Sequence, residues 1–340
     1  MKEVAPGIFR VTEKGIAGAM TPPVNLYVLA GDDGVIFDAG YGNRHSVNSL
    51  VGEVRKIEAL CRSRGSPCTI TRILPSHAHP DHVSGLKRIR RSLGLSIVLT
   101  RKMAAYLSSR ESYRKVLWGD RSDHRYFSNS NLEWYATRTL NRMYRILFQF
   151  LFHTDAISDP DIIINDRSLM EINGEQWEIF PSPGHSDDHI SLYNSERGIL
   201  LAGDNVLRRI TTWLGPPHSN LEEYIESVQY MRDLPNLTLI LSAHGGLITN
   251  PRERLREILR WRERRTREVC EIVKRSGANG VTVRTIVGRL YGNESRSKQR
   301  MASGWVKVTL KHLEDTNKVV RKVHGKRGNS IVFVSEQHSM

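Results

Sequence analysis

From Ser76 to His82 the chain reads Ser-His-Ala-His-Pro-Asp-His, three imidazoles and a carboxylate in six positions. Neutral imidazole and carboxylate are the ligands a borderline-soft divalent cation takes, at roughly 2.0–2.2 Å. In an extended segment His77 and His79 project to the same side, because strand side chains alternate. Where the chain turns helical, Asp81 and His82 face the adjoining side, a spacing that suits two ions roughly 3.5–4 Å apart. A His-rich run by itself is compatible with a chance surface cluster, but three further segments share its chemistry. Pro183-Gly184-His185, Leu201-Ala202-Gly203-Asp204 and Leu241-Ser242-Ala243-His244 each place a ligand type just past an apolar run. Gly184 lets the backbone turn tightly there. Two divalent cations lower the pKa of a shared water from about 15.7 toward 7 and polarise a carbonyl or phosphoryl oxygen. Asp81 is the expected catalytic carboxylate, orienting that water or taking its proton. No Gly-x-Ser-x-Gly elbow is present, and this chemistry needs no serine or cysteine nucleophile.

These ligands need strands that end together. Residues 25–30 and 35–38 read as strand, Gly31-Asp32-Asp33-Gly34 turn, strand. Apolar residues at 47, 50, 51, 54, 57, 60 and 61 form a helical stripe from Ser46 to about Arg62. A strand at 69–74 runs into His77, helical spacing resumes at Leu86, Ile89 and Leu93, and 95–99 is another buried strand. Strands separated by helices make an α/β chain. From 101 to 159 the strand pattern gives way to aromatics at helix-compatible spacing, which predicts a helical insertion. Strands at 169–172 and 176–180 join across Asn173-Gly174, a hairpin signal. Strands at 190–193 and 198–202, a helix at 221–234 and a strand at 237–241 follow. Every candidate ligand then sits at the C-terminal end of a strand, where α/β proteins gather their sites. A long basic helix is predicted at 251–276, shorter helices at 283–291 and 303–313, and a hairpin pairing 317–323 with 330–334. Three helices and a basic hairpin read as a small winged-helix domain at 251–340 behind a catalytic domain at 1–250.

The set His77-x-His79-x-Asp81-His82, His185, Asp204 and His244 resembles the full ligand set of the metallo-β-lactamase superfamily. Asp38-Ala39-Gly40 resembles the aspartate-containing turn found early in that fold. The resemblance covers about 1–250 and implies an αββα sandwich with metals at one edge. It implies that His77, His79 and His185 hold one metal, that Asp81, His82 and His244 hold the second, and that Asp204 bridges. The aromatic insertion departs from the pattern, as a lid or wall over the site. Redox members of the family carry an acid where this chain has His79; an imidazole there favours two Zn²⁺ and hydrolysis, with iron or manganese also compatible. Asp38, His189 and His218 are expected around the ligands, the last two as support four residues past His185 and as a lining of the substrate mouth.

Net charge separates the substrate classes. The chain carries +14, with pI near 9.9. From Arg252 onward there are 22 Lys/Arg against 9 Asp/Glu, while the first 251 residues are nearly balanced at 28 against 27. Charge concentrated in one segment is an electrostatic footprint. His244-Gly245-Gly246, Asn250-Pro251, Trp261-Arg262-x-Arg264-Arg265 and Glu268 are similar to the junction with a lactamase-associated winged helix in lactamase-like endoribonucleases. Lys298, Arg300, Lys307, Lys311, Arg321, Lys322, Lys326 and Arg327 are the candidate phosphate contacts. The leading expectation is a phosphodiesterase or endoribonuclease acting on single-stranded RNA. The alternative is an acyl hydrolase (thioesterase, lactonase or glyoxalase-II-like), since coenzyme A and glutathione thioesters are also anionic. A third reading, a nucleic-acid-binding regulator, has no evident need for all seven ligands. No apolar run approaches the roughly 18 residues of a membrane span, and Met1–Gly7 lacks a signal peptide's apolar region. Cys61, Cys68 and Cys270 make no disulfide framework. A cytoplasmic protein without membrane contact is expected, and homo-oligomers are left open.

Overall fold

Alternation along the strands sets the layers. The computed structural model describes residues 1–15, 22–118, 127, 152–324 and 330–338. One sheet runs in chain order through β1 (Lys2–Ala5), β2 (Ile8–Glu13), β3 (Val24–Leu29), β4 (Gly34–Phe37), β5 (Ile70–Leu74), β6 (Ser96–Thr100) and β7 (Ile162–Ile164). It is antiparallel as far as β4 and parallel beyond it. The other contains β8 (Ser168–Ile172), β9 (Glu175–Pro181), β10 (Ile190–Asn194), β11 (Ile199–Leu201) and β12 (Leu239–Leu241), with β11 and β12 parallel. Asn173 and Gly174, which join β8 to β9, both have positive φ (54° and 77°), as the tight hairpin turn requires.

Trp177, Ile179, Leu192, Leu201 and Leu241 point from the second sheet into the core between the sheets. Their neighbours Phe180, Tyr193, Leu200 and Ile240 point the other way, to α6 (Leu221–Asp233) and α7 (Pro251–Lys274). Against the first sheet, α1 (Arg44–Ser63) buries Val47, Leu50, Val54 and Ile57, the stripe read from the sequence, and α3 (Leu86–Leu93) buries Leu86 and Ile89. Asn43 caps α1 by accepting the Ser46 N–H at 3.0 Å. The layers are helix, sheet, sheet, helix.

Within the expected insertion, α4 (Arg101–Leu107) and α5 (Arg110–Trp118) are helical; 119–126 and 128–151, with most of the aromatics, lie outside the described residues. Beyond the sandwich, α7, α8 (Val283–Tyr291), α9 (Arg296–Asp315) and the antiparallel pair β13 (Val319–His324) and β14 (Ser330–Ser335) enclose a further core of Val269, Val273, Ile286, Trp305, Val306, Leu310 and Phe333. Helix α7 serves both cores, with Leu255 and Ile258 on the sandwich and Val269 and Val273 beyond it. Three elements differ from the sequence reading. The β1–β2 hairpin and β7 lack a clear pattern and were not expected. Helix α9 begins at Arg296 instead of 303, because Ser295 caps it while its polar first turns carry no apolar stripe. Among the described residues no helix is long and apolar enough to cross a membrane.

Candidate metal centre

Five strand ends converge at one edge of the sandwich. Asp38 follows β4, His77 follows β5, His185 follows β9, Asp204 follows β11 and His244 follows β12. His79 stands just before the short helix α2 (Pro80–Val83), which carries Asp81 and His82. Ligand atoms of His77, His79 and His185 lie within 4.8 Å of one another, and so do those of Asp81, His82 and His244. His77, His82 and Asp204 form a third such group that links the two. The Asp204 carboxylate faces both sides, with Oδ2 3.5 Å from His185 Nε2 and Oδ1 3.6 Å from His82 Nε2 and 3.3 Å from His244 Nε2. All seven residues picked from the sequence are brought together.

The donor set fits a cation. His77 Nε2, His82 Nε2 and Asp204 Oδ1 are buried without a hydrogen-bond partner among the described residues. Unpartnered buried polar atoms are costly and rare; three converging on one point call for positive charge. The far ring nitrogens are meanwhile engaged. Ser76 Oγ lies 3.0 Å from His77 Nδ1 and 3.2 Å from His82 Nδ1. His185 Nδ1 donates to the Trp213 carbonyl at 2.7 Å and His244 Nδ1 to that of Pro23 at 2.6 Å. Such partners fix the tautomer that leaves Nε2 free to bind metal.

Protonation divides the cluster. Burial, followed by neighbouring imidazoles, pushes His77 well below its ordinary value and His79 down to about 3, and burial also lowers His185. At His82 and His244 burial acts in the same sense, but Asp38, Asp81 and Asp204 outweigh it at His82, raising it strongly, and Asp204 and Asp81 raise His244 to about 11. Burial opposes ionisation of Asp81, yet His82 and His244 bring it down to about 2. One side therefore offers neutral imidazoles, and the other offers carboxylates that demand positive charge.

The expected supporting residues fall in different places. Asp38 Oδ1 accepts the Ser76 N–H at 2.7 Å, and Oδ2 lies 3.0 Å from His82 Nδ1. His189 is buried behind Asp204: Nε2 accepts the Asp204 N–H at 3.2 Å while Nδ1 lies 2.8 Å from Ser182 Oγ. His218 is not among the ligand groups; its Nδ1 lies 3.4 Å from Asp187, which also accepts from Tyr106 at 2.6 Å and from Lys102. That network ties α4 to the loop carrying His185. Sequence reading missed Asp188, whose carboxylate accepts the Ala78 N–H at 2.8 Å from 110 positions away and left no local signal. It also missed what Arg262 does: this buried side chain donates from Nη2 to the Thr212 carbonyl at 2.6 Å, next to the carbonyl that orients His185.

The described candidate phosphate contacts lie on α9 and β13. Lys298 pairs with Glu294 at 2.8 Å and Lys311 with Asp315. Lys307 Nζ stands 5.2 Å from the Phe127 ring centroid. Arg321 and Lys322 are successive residues of β13 and so point to opposite faces. Arg300 is exposed, and Lys326 and Arg327 lie outside the described residues.

Comparison with known proteins gives the same architecture. The "Beta-lactamase-like protein 2 homolog" of Caenorhabditis elegans is 29% identical over 150 residues, 44% of this chain and 48% of that protein, so the chain spans about half of its length. The "Acyl-coenzyme A thioesterase MBLAC2" of Bos taurus is 22% identical over 241 residues, 70% of this chain and 77% of that protein. The crystal structure of a metallo-beta-lactamase family protein from Thermus thermophilus superimposes with a TM-score of 0.71 at 20% identity, over 98% of this chain and 100% of that one. The sequence profile of the metallo-beta-lactamase superfamily matches residues 20–244, more than half of the 340. The chain belongs to the metallo-beta-lactamase superfamily.

Proposed function

We propose that the protein is a metal-dependent acyl hydrolase that cleaves an anionic thioester. The observation that carries hydrolysis is the pair of ligand groups joined at Asp204, with buried His77, His82 and Asp204 atoms unpartnered at their junction. In this reading His77, His79 and His185 hold one cation, Asp81, His82 and His244 the other, and Asp204 both. An imidazole-rich set suits Zn²⁺, and iron or manganese can also occupy such ligands. Bound there, divalent cations lower the pKa of water and polarise a substrate oxygen. Asp38 and Ser76 hold His82 in register, Trp213 and Pro23 fix the His185 and His244 tautomers, and Asp81 orients the attacking water.

Two features move the substrate from RNA to an acyl group. A relative named as an acyl-coenzyme A thioesterase aligns with 70% of the chain. Trp213 (41% exposed), whose carbonyl holds His185, presents apolar surface together with Met301 (58%), to whose carbonyl its Nε1 donates at 3.3 Å. An acyl chain can lie along such a rim. A thiol ionises near about 8.5, so a thiolate also leaves without a general acid. The C-terminal elements, in the helix–helix–helix–hairpin order of a winged helix, then form a wall of the cleft. Its excess of basic residues favours the phosphodiesterase alternative, so both substrates belong in one test. Zinc-loaded protein and its His77→Ala variant are incubated with an acyl-thioester panel and with labelled single-stranded RNA at low salt. Thioester turnover lost in the variant, with RNA intact, is expected. RNA cleavage without thioester turnover overturns the proposal.

A further inference from the structure

A groove lies behind the loop that braces His185. After Asp204 the chain passes through Arg208, Arg209 and Ile210 to Thr212 and Trp213, whose carbonyl orients His185. The outer side of this loop is fastened to α7. Arg254 donates to the Leu207 and Ile210 carbonyls at 2.8 Å each, and Arg262 donates to that of Thr212 at 2.6 Å. Between loop and helix opens a groove of about 570 Å³ whose lining includes Arg209, Thr211, Arg254, Arg260, Trp261 and Arg264.

Four guanidinium groups here meet one carboxylate, Glu257, and that carboxylate is taken by Arg254 at 3.0 Å. Two other arginines of α7 are matched: Arg265 pairs with Glu268 at 2.7 Å and Arg267 with Glu263 at 3.1 Å. Arg209, Arg260 and Arg264 are exposed and have no ion pair among the described residues. Arg260 and Arg264 stand four apart on one helix face, where like charges repel. Three exposed arginines without a partner carboxylate thus share one concave site, and planar guanidinium forks match phosphate oxygens two at a time. Arg209 is five residues past Asp204, which limits their Cα separation to about 18 Å. A flexible carrier arm spans that gap.

We propose that this groove binds the phosphate end of the carrier from which the acyl group hangs, so that the substrate is a phosphate-bearing acyl thioester reaching over the 208–213 loop to the metal centre. This rests on the acyl-hydrolase reading. A concavity of about 570 Å³ suits a small phosphate-bearing carrier, whereas RNA is held along an extended basic track, and Lys298 and Lys311 on α9 are already paired.

The test compares wild type with the triple variant Arg209→Ala, Arg260→Ala, Arg264→Ala, all at exposed positions, with thermal melting to confirm the fold. KM and kcat are measured for a coenzyme A thioester and for the phosphate-free N-acetylcysteamine thioester of the same acyl group. The variant is expected to raise KM for the first by at least about 10-fold, the scale of one lost charged hydrogen bond, with kcat and the second substrate unchanged. An unchanged KM for the coenzyme A thioester, or an equal rise for both, overturns the proposal. Calorimetric titration with coenzyme A itself reads the groove independently of turnover. If wild type cleaves neither thioester, the acyl-hydrolase reading fails, and coenzyme A binding lost in the variant still upholds the phosphate site. No coenzyme A binding, or binding of an RNA oligomer alone, overturns it.

Discussion

Substituting Asp38→Asn isolates the orientation of one metal ligand. Asp38 has φ 71°, a conformation that asparagine also tolerates, and the two side chains have nearly the same shape. In the native site Oδ1 accepts the Ser76 N–H at 2.7 Å and Oδ2 lies 3.0 Å from His82 Nδ1. The carboxylate holds a proton on Nδ1 and leaves Nε2, which lies in the ligand group, with its lone pair. An amide that keeps its oxygen on Ser76 turns its NH₂ toward Nδ1, which must then accept, and the proton moves to Nε2. Residues behind a metal ligand are typically worth about 10–100-fold in metal affinity, or roughly 1.4–2.8 kcal/mol. In a zinc titration against a chromophoric chelator, one of two equivalents should weaken by about that factor. The other should be unchanged, since the amide oxygen keeps the Ser76 N–H and with it the Ser76 Oγ contact to His77 Nδ1. Two equivalents bound as tightly as in wild type would refute the argument.

Three further outcomes follow from the same geometry. Gly184→Ala places a Cβ 2.3 Å from Tyr224 Cα at φ +126°, so the strand end must shift; thermal melting should show a loss of more than about 3 kcal/mol, whereas Gly245→Ala (φ +85°, nothing within 4 Å) should cost only about 1–2 kcal/mol, and equal effects would count against the packing argument. Arg262→Met removes the donor to the Thr212 carbonyl and the cation 4.9 Å from the Tyr224 ring; a loss of about 2–4 kcal/mol is expected, and a melting temperature within a degree of wild type would contradict it. Without metal, Asp204 and Asp81 raise His244 to about 11 and His82 is raised as well, so a cation must displace protons, metal uptake releases them, and affinity rises with pH. Calorimetry in two buffers of different ionisation enthalpy reads that release, and none at neutral pH would rule the mechanism out.

Four ligands were legible because each lies just past a short apolar strand, so strand pattern and ligand type reinforced one another, and His79, Asp81 and His82 follow His77 within five residues. His77, His185, Asp204 and His244 needed no tertiary information to be selected. Asp188 and Arg262 could not be found that way, since their partners Ala78 and Thr212 lie 110 and 50 positions off and a lone Asp or Arg carries no periodicity. The β1–β2 hairpin escaped because Lys2–Ala5 is too short to show alternation, and β7 because three successive isoleucines fit any element. The basic tail does not name a partner by itself, for a different reason. Charge counts ignore pairing, and Lys298 and Lys311 are already matched by glutamate and aspartate one helical turn away.

The double duty of α7 bears on how the chain is made. Synthesis proceeds from the N-terminus, and domains fold largely as they emerge. Here the first sheet is complete once Ile164 is available, yet the second lacks its edge strand until Leu241 and the rest of its cover until Leu255 and Ile258. Until then Phe180, Tyr193 and Leu200 have only α6, with Leu221, Tyr224, Val228 and Met231, to cover them. The ligand groups span the same stretch, from His77 to His244, so the nascent chain has an apolar sheet face only partly covered while still short of a full metal site. Cofactor loading and burial of that face are therefore late events, separated by little more than the length of one helix.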